Sequence, residues 1–118
     1  MLIRIDTCST LPLAEQIAAS VRRALADDAV RVGERLPAAR EVARLLEVNV
    51  HTVLRGYQQL RDEGLIDLRR GRGAVVIAAP AQARLHEVAS QLVTEAREAG
   101  FSESRTVALL RSSWKEAR

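Results

Sequence analysis

The chain has 118 residues, of which 47% are apolar and 28% are charged, a composition that suits one folded soluble domain or a small domain with an appended element. Basic residues outnumber acidic residues by 18 to 15, and every basic residue except Lys115 is an arginine. The single cysteine, Cys8, excludes an intramolecular disulfide. With this one cysteine and only two histidines, His51 and His86, no metal-ligand cluster can form at these spacings, so we expect no bound metal. We also expect no cofactor.

No segment comes near the ~20 consecutive apolar residues of a membrane span, so we expect a cytoplasmic protein without a membrane partner. The carboxylate pairs Asp27–Asp28 and Asp62–Glu63 stand at predicted helix ends, where solvated or capping roles are expected. No nucleophile stands in a pattern with a base, and the glycines around Arg72 lack the Lys-Ser/Thr of a nucleotide-binding loop. We therefore expect a protein that is not an enzyme.

The first predicted elements are a short strand and a helix. Leu2–Ile5 has a nearly alternating apolar pattern, which predicts the strand. Thr10 is a candidate helix cap, and Pro12 suits the first turn of the helix that follows. Apolar residues then recur every four residues, which predicts a helix that ends near Asp27–Asp28. The predicted buried stripe of this helix consists of Leu13, Ile17, Val21 and Leu25.

Two further helices follow with a tight turn between them. Pro37 keeps the residue before it extended and introduces a helix over about Ala38–Leu46. Only Glu47–Val48 separates this helix from the next, which is capped by Asn49. We expect the Asn49 side chain to accept a hydrogen bond from the backbone N–H of Thr52. The predicted core residues are Val42, Leu45 and Leu46 in the first of these helices and Val53, Tyr57 and Leu60 in the second.

A small hairpin with a cationic tip completes this part of the chain. The third helix ends near Glu63, where Gly64 supplies a stop. The strand-like runs Leu65–Leu68 and Ala74–Ile77 flank Arg69–Gly73, which predicts two antiparallel strands and a glycine-containing turn. Two short helices, a tight turn and a basic hairpin are the layout of a winged helix-turn-helix, in which one helix enters the major groove of DNA.

The start of the third helix and the hairpin tip are the predicted DNA-binding elements. Backbone N–H groups at a helix N-terminus favour phosphate, and Asn49 and Thr52 suit phosphate oxygens. His51 and Arg55 can reach base edges, because arginine pairs with guanine O6 and N7. The glycines of the tip allow close backbone approach, while its arginines suit phosphates or a narrow minor groove. The predicted DNA-binding residues are Arg35, Arg40, Asn49, Val50, His51, Thr52, Arg55, Arg69, Arg70, Gly71, Arg72 and Gly73.

A helical tail is predicted beyond Ala78–Pro80, which divides the chain into residues 1–78 and residues 79–118. Apolar residues keep helical spacing up to Gly100, and a second helix covers about Glu103–Lys115. About 35 residues cannot bury their own apolar face, so the tail needs a partner surface. That surface is either a second copy of the chain or the winged helix itself. The predicted dimer-interface residues are Leu85, Val88, Leu92, Val93, Ala96, Phe101, Val107, Leu110 and Trp114.

Many spaced motifs over about residues 10 to 77 resemble the GntR family of bacterial transcriptional regulators. They are Leu11–Ile17, Gly33–Pro37, Arg40–Ala43, Asn49–Val53, Tyr57–Leu60, Glu63–Ile66 and Arg70–Gly73. The short tail, which includes Glu95–Ser102, is similar to that of the YtrA-type subfamily. The resemblance implies that Arg40 and Asn49–Thr52 contact the major groove and that Arg70–Arg72 form the wing. It also implies that the tail serves dimerisation and that no large ligand-binding domain follows.

The chain departs from the family pattern in four places. Ala14 stands where the family often has an aromatic residue, and Ala38 stands where a phosphate-binding serine is common. Glu47 replaces the usual turn glycine, and Val50 takes a position often held by proline or a polar residue. A carboxylate at position 47 would repel phosphate unless Arg44 pairs with it. These departures bear on the bound sequence and the affinity more than on the fold.

The sequence therefore predicts a mainly α fold with a small β-hairpin, namely a winged helix-turn-helix followed by a C-terminal helical hairpin. The predicted function is sequence-specific binding of double-stranded DNA by a homodimer that represses transcription at a pseudo-palindromic operator. An alternative is a winged-helix adaptor whose basic hairpin binds an acidic protein. A small-molecule effector is compatible with the first interpretation, and the sequence identifies none.

Overall fold

The computed structural model describes residues 3–117. These residues form five helices and one two-stranded antiparallel sheet, which confirms the predicted mainly helical fold with a small hairpin. In chain order the elements are α1 (Leu13–Ala26), α2 (Ala39–Leu46), α3 (Val50–Asp62), β1 (Ile66–Arg69), β2 (Gly73–Val76), α4 (Pro80–Glu98) and α5 (Glu103–Glu116).

Two compact units divide the chain, one ending at Glu87 and the other beginning at Val88. The first unit contains α1 to α3, the hairpin and the first turns of α4, and the second contains the rest of α4 together with α5. The boundary between these two units lies inside α4 and does not mark a domain boundary. The predicted division into residues 1–78 and 79–118 therefore stays a prediction.

The core of the first unit forms where α3 packs against α1 and α2. The four-residue spacing of Ile17, Val21 and Leu25 places these side chains on one side of α1, and all three are buried as predicted, whereas Leu13, the first member of the predicted stripe, is half-buried. On α3, Gly56 allows a close approach to α1, because a Cβ there would lie 2.9 Å from the carbonyl oxygen of Ala14. The residues predicted for the core of α3, which are Val53, Tyr57 and Leu60, are also buried.

The hairpin pairs Ile66 with Val76 at its base and Arg69 with Gly73 at its tip. Its second strand has another extended neighbour in the segment that leads into α2. The backbone N–H of Gly33 donates to the carbonyl of Val76 at 2.8 Å, and a single antiparallel bridge joins Arg35 to Val75. Backbone hydrogen bonds therefore join β2 to β1 along one edge and to the segment before α2 along the other.

The start of α4 belongs to the first unit and packs on the end of α1. Ala83 is fully buried, and Arg84 Nη2 donates a 3.1 Å hydrogen bond to the carbonyl of Ala26 at the end of α1. In the second unit, α4 ends before Gly100, whose φ of +79° reverses the chain. The Ser102 hydroxyl then caps α5 by accepting from the backbone N–H of Arg105. The predicted helix from Glu103 is confirmed.

The N-terminal prediction was wrong for the part of Leu2–Ile5 that lies among the described residues. Residues 3–5 form no strand, because the backbone N–H groups of Arg4 and Asp6 donate to side chains of α1 rather than to another strand. Leu2 lies outside the described residues. Thr10 does not cap α1, since Pro12 occupies the cap position and makes no side-chain cap hydrogen bond.

The predicted orientation of Leu45 was also wrong. This side chain is 70% exposed, whereas Val42 and Ala43 are buried and Leu46 is half-buried. The core side of α2 is a narrow stripe with helical spacing, and position 45 lies outside it. With only eight residues, α2 contains three leucine and valine side chains, and the sequence of so short a helix leaves open which of them face the core.

Candidate nucleic-acid interface

The turn between α2 and α3 places an acidic residue in a left-handed conformation. Glu47 has φ +56° and ψ +46° and ends α2, with its side chain exposed. The backbone N–H of Val48 donates back to the carbonyl of Ala43 at 3.0 Å, which closes the turn. Among the described residues Arg44 makes no ion pair with Glu47, so this carboxylate stays uncompensated beside the start of α3.

Asn49 caps α3 as predicted, although the partner of its side chain differs from the prediction. Its Oδ1 accepts from the backbone N–H of His51 at 2.8 Å, two residues on. The N–H of Thr52 donates to the backbone carbonyl of Asn49 instead. The short asparagine side chain forms an Asx turn here, which satisfies the nearer N–H group.

The exposed side of α3 starts at its N-terminus. His51 and Arg55 are exposed at four-residue spacing, as DNA contact requires, and Gln58 continues the same side one turn later. Thr52 is half-buried. Val50 is half-buried and packs against the core, so little of this predicted DNA-binding residue remains free for a ligand.

The tip of the hairpin is a tight, glycine-containing turn. Gly71 and Gly73 have φ values of +79° and +72°, a backbone conformation that is strained for residues with a Cβ atom. The backbone N–H of Arg72 donates to the carbonyl of Arg69 at 3.0 Å and closes the turn. Arg70 and Arg72 are exposed, while Arg69 forms a 3.0 Å ion pair with Asp67.

A groove of about 780 Å³ lies between the hairpin and the α2–α3 pair. Arg35 and the five residues of the hairpin tip, all predicted to bind DNA, line this groove together. Arg40 is exposed in the first turn of α2 and does not line the groove. The apolar lining residues Leu54 and Leu68 were not predicted to belong to the site, although Leu54 follows His51 at three-residue spacing and so falls on the same exposed side.

Several arginines of this surface have no protein partner. Between residues 3 and 117 their side chains make no hydrogen bond or ion pair, and each is exposed. They are Arg35, Arg40, Arg55, Arg70 and Arg72. Exposed guanidinium groups without a carboxylate partner produce a positive potential that attracts polyanions.

Tyr57 links α3 to the start of α2 behind this surface. Its hydroxyl donates a 2.6 Å hydrogen bond to the carbonyl of Pro37, and its side chain is buried. Burial raises the pKa of the Tyr57 phenol well above its ordinary value, and the nearby Glu41 carboxylate raises it further. The phenol therefore stays neutral and keeps its hydrogen bond over the physiological pH range.

A buried ion pair supports the C-terminal end of α3. The guanidinium of Arg22 in α1 donates to both carboxylate oxygens of Glu63, at 2.8 and 3.0 Å. His86 Nδ1 lies 3.7 Å from the same carboxylate. Glu63 is the C-cap residue of α3, but the expectation of a solvated side chain was wrong, because Arg22, 41 residues away in sequence, binds the carboxylate and only 19% of the side chain is exposed.

Within the described part of the chain, no group of three or more His, Cys, Asp or Glu residues is placed to hold a metal ion. None of the helices formed by these residues combines the length and the apolarity that crossing a bilayer requires.

Residues 13–76, more than half of the chain, match the family model described as bacterial regulatory proteins of the gntR family. The chain belongs to the GntR family. The repressor YtrA of Bacillus subtilis is 35% identical over 75 residues, which are 64% of this chain and 58% of that protein. The regulator Rv1152 of Mycobacterium tuberculosis is 31% identical over 104 residues, covering 86% of this chain and 85% of the relative.

Among solved structures, the GntR-family transcription factor YtrA from Sulfolobus acidocaldarius is 32% identical and superposes with a TM-score of 0.62. The match covers 80% of this chain and 99% of that chain. These comparisons confirm the predicted family, its YtrA-like character and the winged-helix fold. The GntR family is one of regulatory proteins rather than enzymes.

Proposed function

We propose that this GntR-family chain is a sequence-specific transcriptional regulator that binds double-stranded DNA and represses transcription by occluding a promoter. It would work in the cytoplasm, where bacterial DNA lies. The observation that carries this proposal is a set of exposed arginines without a protein partner: Arg35, Arg70 and Arg72 line one open groove, and Arg55 lies on the exposed side of α3. Support also comes from the repressor function that the name of the Bacillus subtilis relative states.

In this proposal the two basic elements have different roles. The N-terminal end of α3 enters the major groove, where His51 and Arg55 contact base edges and Asn49 contacts phosphate. The hairpin tip lies beside it, with Arg70 and Arg72 on the phosphate backbone or in the minor groove. Sequence discrimination then depends on α3, and the tip contributes affinity for any duplex.

We further propose that the second unit forms a homodimer. No residue of α5 is buried, and a helix pair that leaves so many large apolar side chains exposed is stabilised when a partner covers them. The exposed large apolar residues of α4 and α5 are Leu85, Val88, Val93, Val107, Leu109, Leu110 and Trp114. Of the remaining predicted interface residues, Ala96 is buried within the unit, and Leu92 and Phe101 are half-buried.

A two-fold dimer presents two copies of α3, so the proposed operator is an inverted repeat whose half-sites lie about one helical turn or a multiple of it apart. The test is selection of bound duplexes from a random DNA pool at about 150 mM salt, with the mass of the protein measured by light scattering. We expect an inverted repeat and a mass of twice the 13.0 kDa of one chain. A pool without enriched sequences would contradict sequence-specific binding, and a monomeric mass would contradict the dimer.

The cationic hairpin also fits an acidic protein partner, which is the adaptor function that the sequence left open. The dependence of binding affinity on salt concentration distinguishes DNA binding from this adaptor function. The affinity for DNA should fall with a log–log slope of about −0.9 for each phosphate neutralised, whereas a largely apolar protein interface is much less sensitive. A small-molecule effector stays a prediction, and repeating the selection with pooled metabolites tests it.

A further inference from the structure

One apolar side chain interrupts the polar, exposed side of α3. Leu54 lies between His51 and Gln58 on that side, at three- and four-residue spacing, and 37% of its surface is exposed. The other apolar residues near the start of α3 face the core instead: Val53 is fully buried, and Val50 packs against the core. Leu54 is therefore the apolar residue that α3 offers to a bound molecule.

Leu54 lies in a groove that is apolar at its base and lined by arginines. The groove between α3 and the hairpin contains Leu54 and Leu68 together with Arg35, the arginines of the tip and one carboxylate, Glu41, and Leu54 adjoins the exposed Arg55 in sequence. An apolar patch flanked mainly by arginines suits a partner that is anionic overall and carries a local apolar group. Duplex DNA has this combination in its major groove, where phosphates flank the C5-methyl group of thymine.

We propose that Leu54 contacts the C5-methyl group of thymine and thereby selects one A·T pair in each half-site. This inference rests on the proposed DNA-binding function and specifies part of the recognised sequence. Among the four bases, only thymine presents a methyl group in the major groove. A leucine placed against a guanine or cytosine edge would cover hydrogen-bonding groups without satisfying them, which costs binding free energy.

Leu54 differs in this respect from its neighbours on the helix. His51, Arg55 and Gln58 carry donors that pair with acceptors on base edges or with phosphates, and a contact of the charged Arg55 with a phosphate weakens as salt rises. The contact of Leu54 with a methyl group is apolar, and its contribution should be independent of salt. Leu54 is thus a specificity residue whose effect can be isolated chemically.

The experiment uses the operator recovered by selection and replaces its thymines one at a time with deoxyuridine, which lacks only the C5-methyl group. For the wild-type protein, we expect the dissociation constant to rise about fourfold at one thymine of each half-site, the effect of losing one buried CH₂-sized group. Replacements outside the protected sequence serve as controls. The size of the effect should be the same at low and at high salt.

Two variants assign the effect to the side chain. Leu54→Ala should bind the thymine and deoxyuridine operators equally well, while Leu54→Met, which keeps an apolar side chain of similar volume, should retain the difference. Arg55→Ala should weaken binding and yet retain the difference. Thermal unfolding of each variant checks that the fold is kept.

The outcomes distinguish this inference from the function on which it rests. If the wild-type protein binds its operator and no deoxyuridine replacement weakens binding, Leu54 contacts no thymine methyl and DNA-binding regulation stands. An unchanged deoxyuridine effect in folded Leu54→Ala overturns the assignment in the same way. If selection yields no operator at all, the proposed function itself fails and this inference fails with it.

Discussion

The hydroxyl of Tyr57 donates a 2.6 Å hydrogen bond to the backbone carbonyl of Pro37. Tyr57 belongs to α3 and Pro37 precedes α2, so this bond joins the helix proposed to enter the major groove to the start of its neighbour. Only 2% of the Tyr57 surface is exposed, and its hydroxyl has little access to water.

We expect Tyr57→Phe to lower the free energy of unfolding by about 1–2 kcal/mol, because the substitution removes the donor from a partly buried carbonyl and changes little else. Urea denaturation followed by circular dichroism measures the change. Gln58→Ala is the control, since this exposed neighbour should change stability by no more than about 0.5 kcal/mol. A Tyr57→Phe variant as stable as the wild type would contradict a structural role for the bond.

The raised pKa of Tyr57 should also lower the free energy of unfolding at alkaline pH. Its pKa is raised in the folded state by burial and then by Glu41, so the folded protein binds the phenolic proton more tightly than the unfolded chain does. The contribution of this group is therefore complete below its ordinary pKa of 10.0 and declines above it, by up to about 1.4 kcal/mol per pH unit. Because the chain has a single tyrosine, urea denaturation of the wild type and Tyr57→Phe between about pH 9 and pH 11 isolates the effect. Parallel pH profiles of the two proteins would contradict it.

The buried Arg22–Glu63 pair predicts an asymmetric response to substitution. Glu63→Gln should lower the free energy of unfolding by about 3 kcal/mol, since it leaves a guanidinium that is 6% exposed without a counter-charge. Replacing both partners, as Arg22→Met with Glu63→Leu, should recover part of this loss because no buried charge remains. Denaturation of the single and double variants tests both statements. A double variant that is less stable than Glu63→Gln would contradict the second.

The parts of this fold that depend on periodicity could be predicted from the sequence. Ile17, Val21 and Leu25 repeat at helical spacing over 14 residues, so the helix and its buried side are both determined locally. Gly64 and Gly71 likewise predict a helix end and a turn, because each needs a positive φ. Local signals of this kind predicted the helices and the hairpin to within a few residues.

Features that depend on distant contacts could not be predicted in this way. The Glu63 carboxylate is held by Arg22 from another helix, and nothing near position 63 indicates that partner. The segment around Arg35 pairs with β2 through backbone groups, which leave no pattern in the side chains. Leu54 was missed for another reason, because base contacts on this helix were predicted from side chains that form hydrogen bonds, and leucine has no such group.

Replacing Glu47 with glycine should stabilise the folded protein. The left-handed backbone of Glu47, with φ +56°, is strained for any residue other than glycine. Glu47→Gly should raise the free energy of unfolding by about 0.5–1 kcal/mol, because the strain relieved exceeds the added entropy of the unfolded chain. Glu47→Gln removes the charge and keeps the strain, so it should leave stability unchanged and tighten binding to every duplex. Equal stability of Glu47→Gly and Glu47→Gln in denaturation would contradict the strain argument.

We proposed that α3 contacts bases and that the hairpin tip contacts phosphates, so substitutions of Arg55 and Arg72 should weaken DNA binding in different ways. Arg55→Ala should weaken operator binding by about 1–3 kcal/mol more than it weakens binding to random duplex, since a base contact is lost. Arg72→Ala should weaken both equally and reduce the salt slope by about one, because a phosphate contact is lost. Arg23→Ala removes an exposed arginine from α1 and serves as the charge-matched control. Binding measured by fluorescence anisotropy over a salt series separates the cases, and equal losses on both duplexes for both variants would mean that Arg55 contacts the backbone rather than a base.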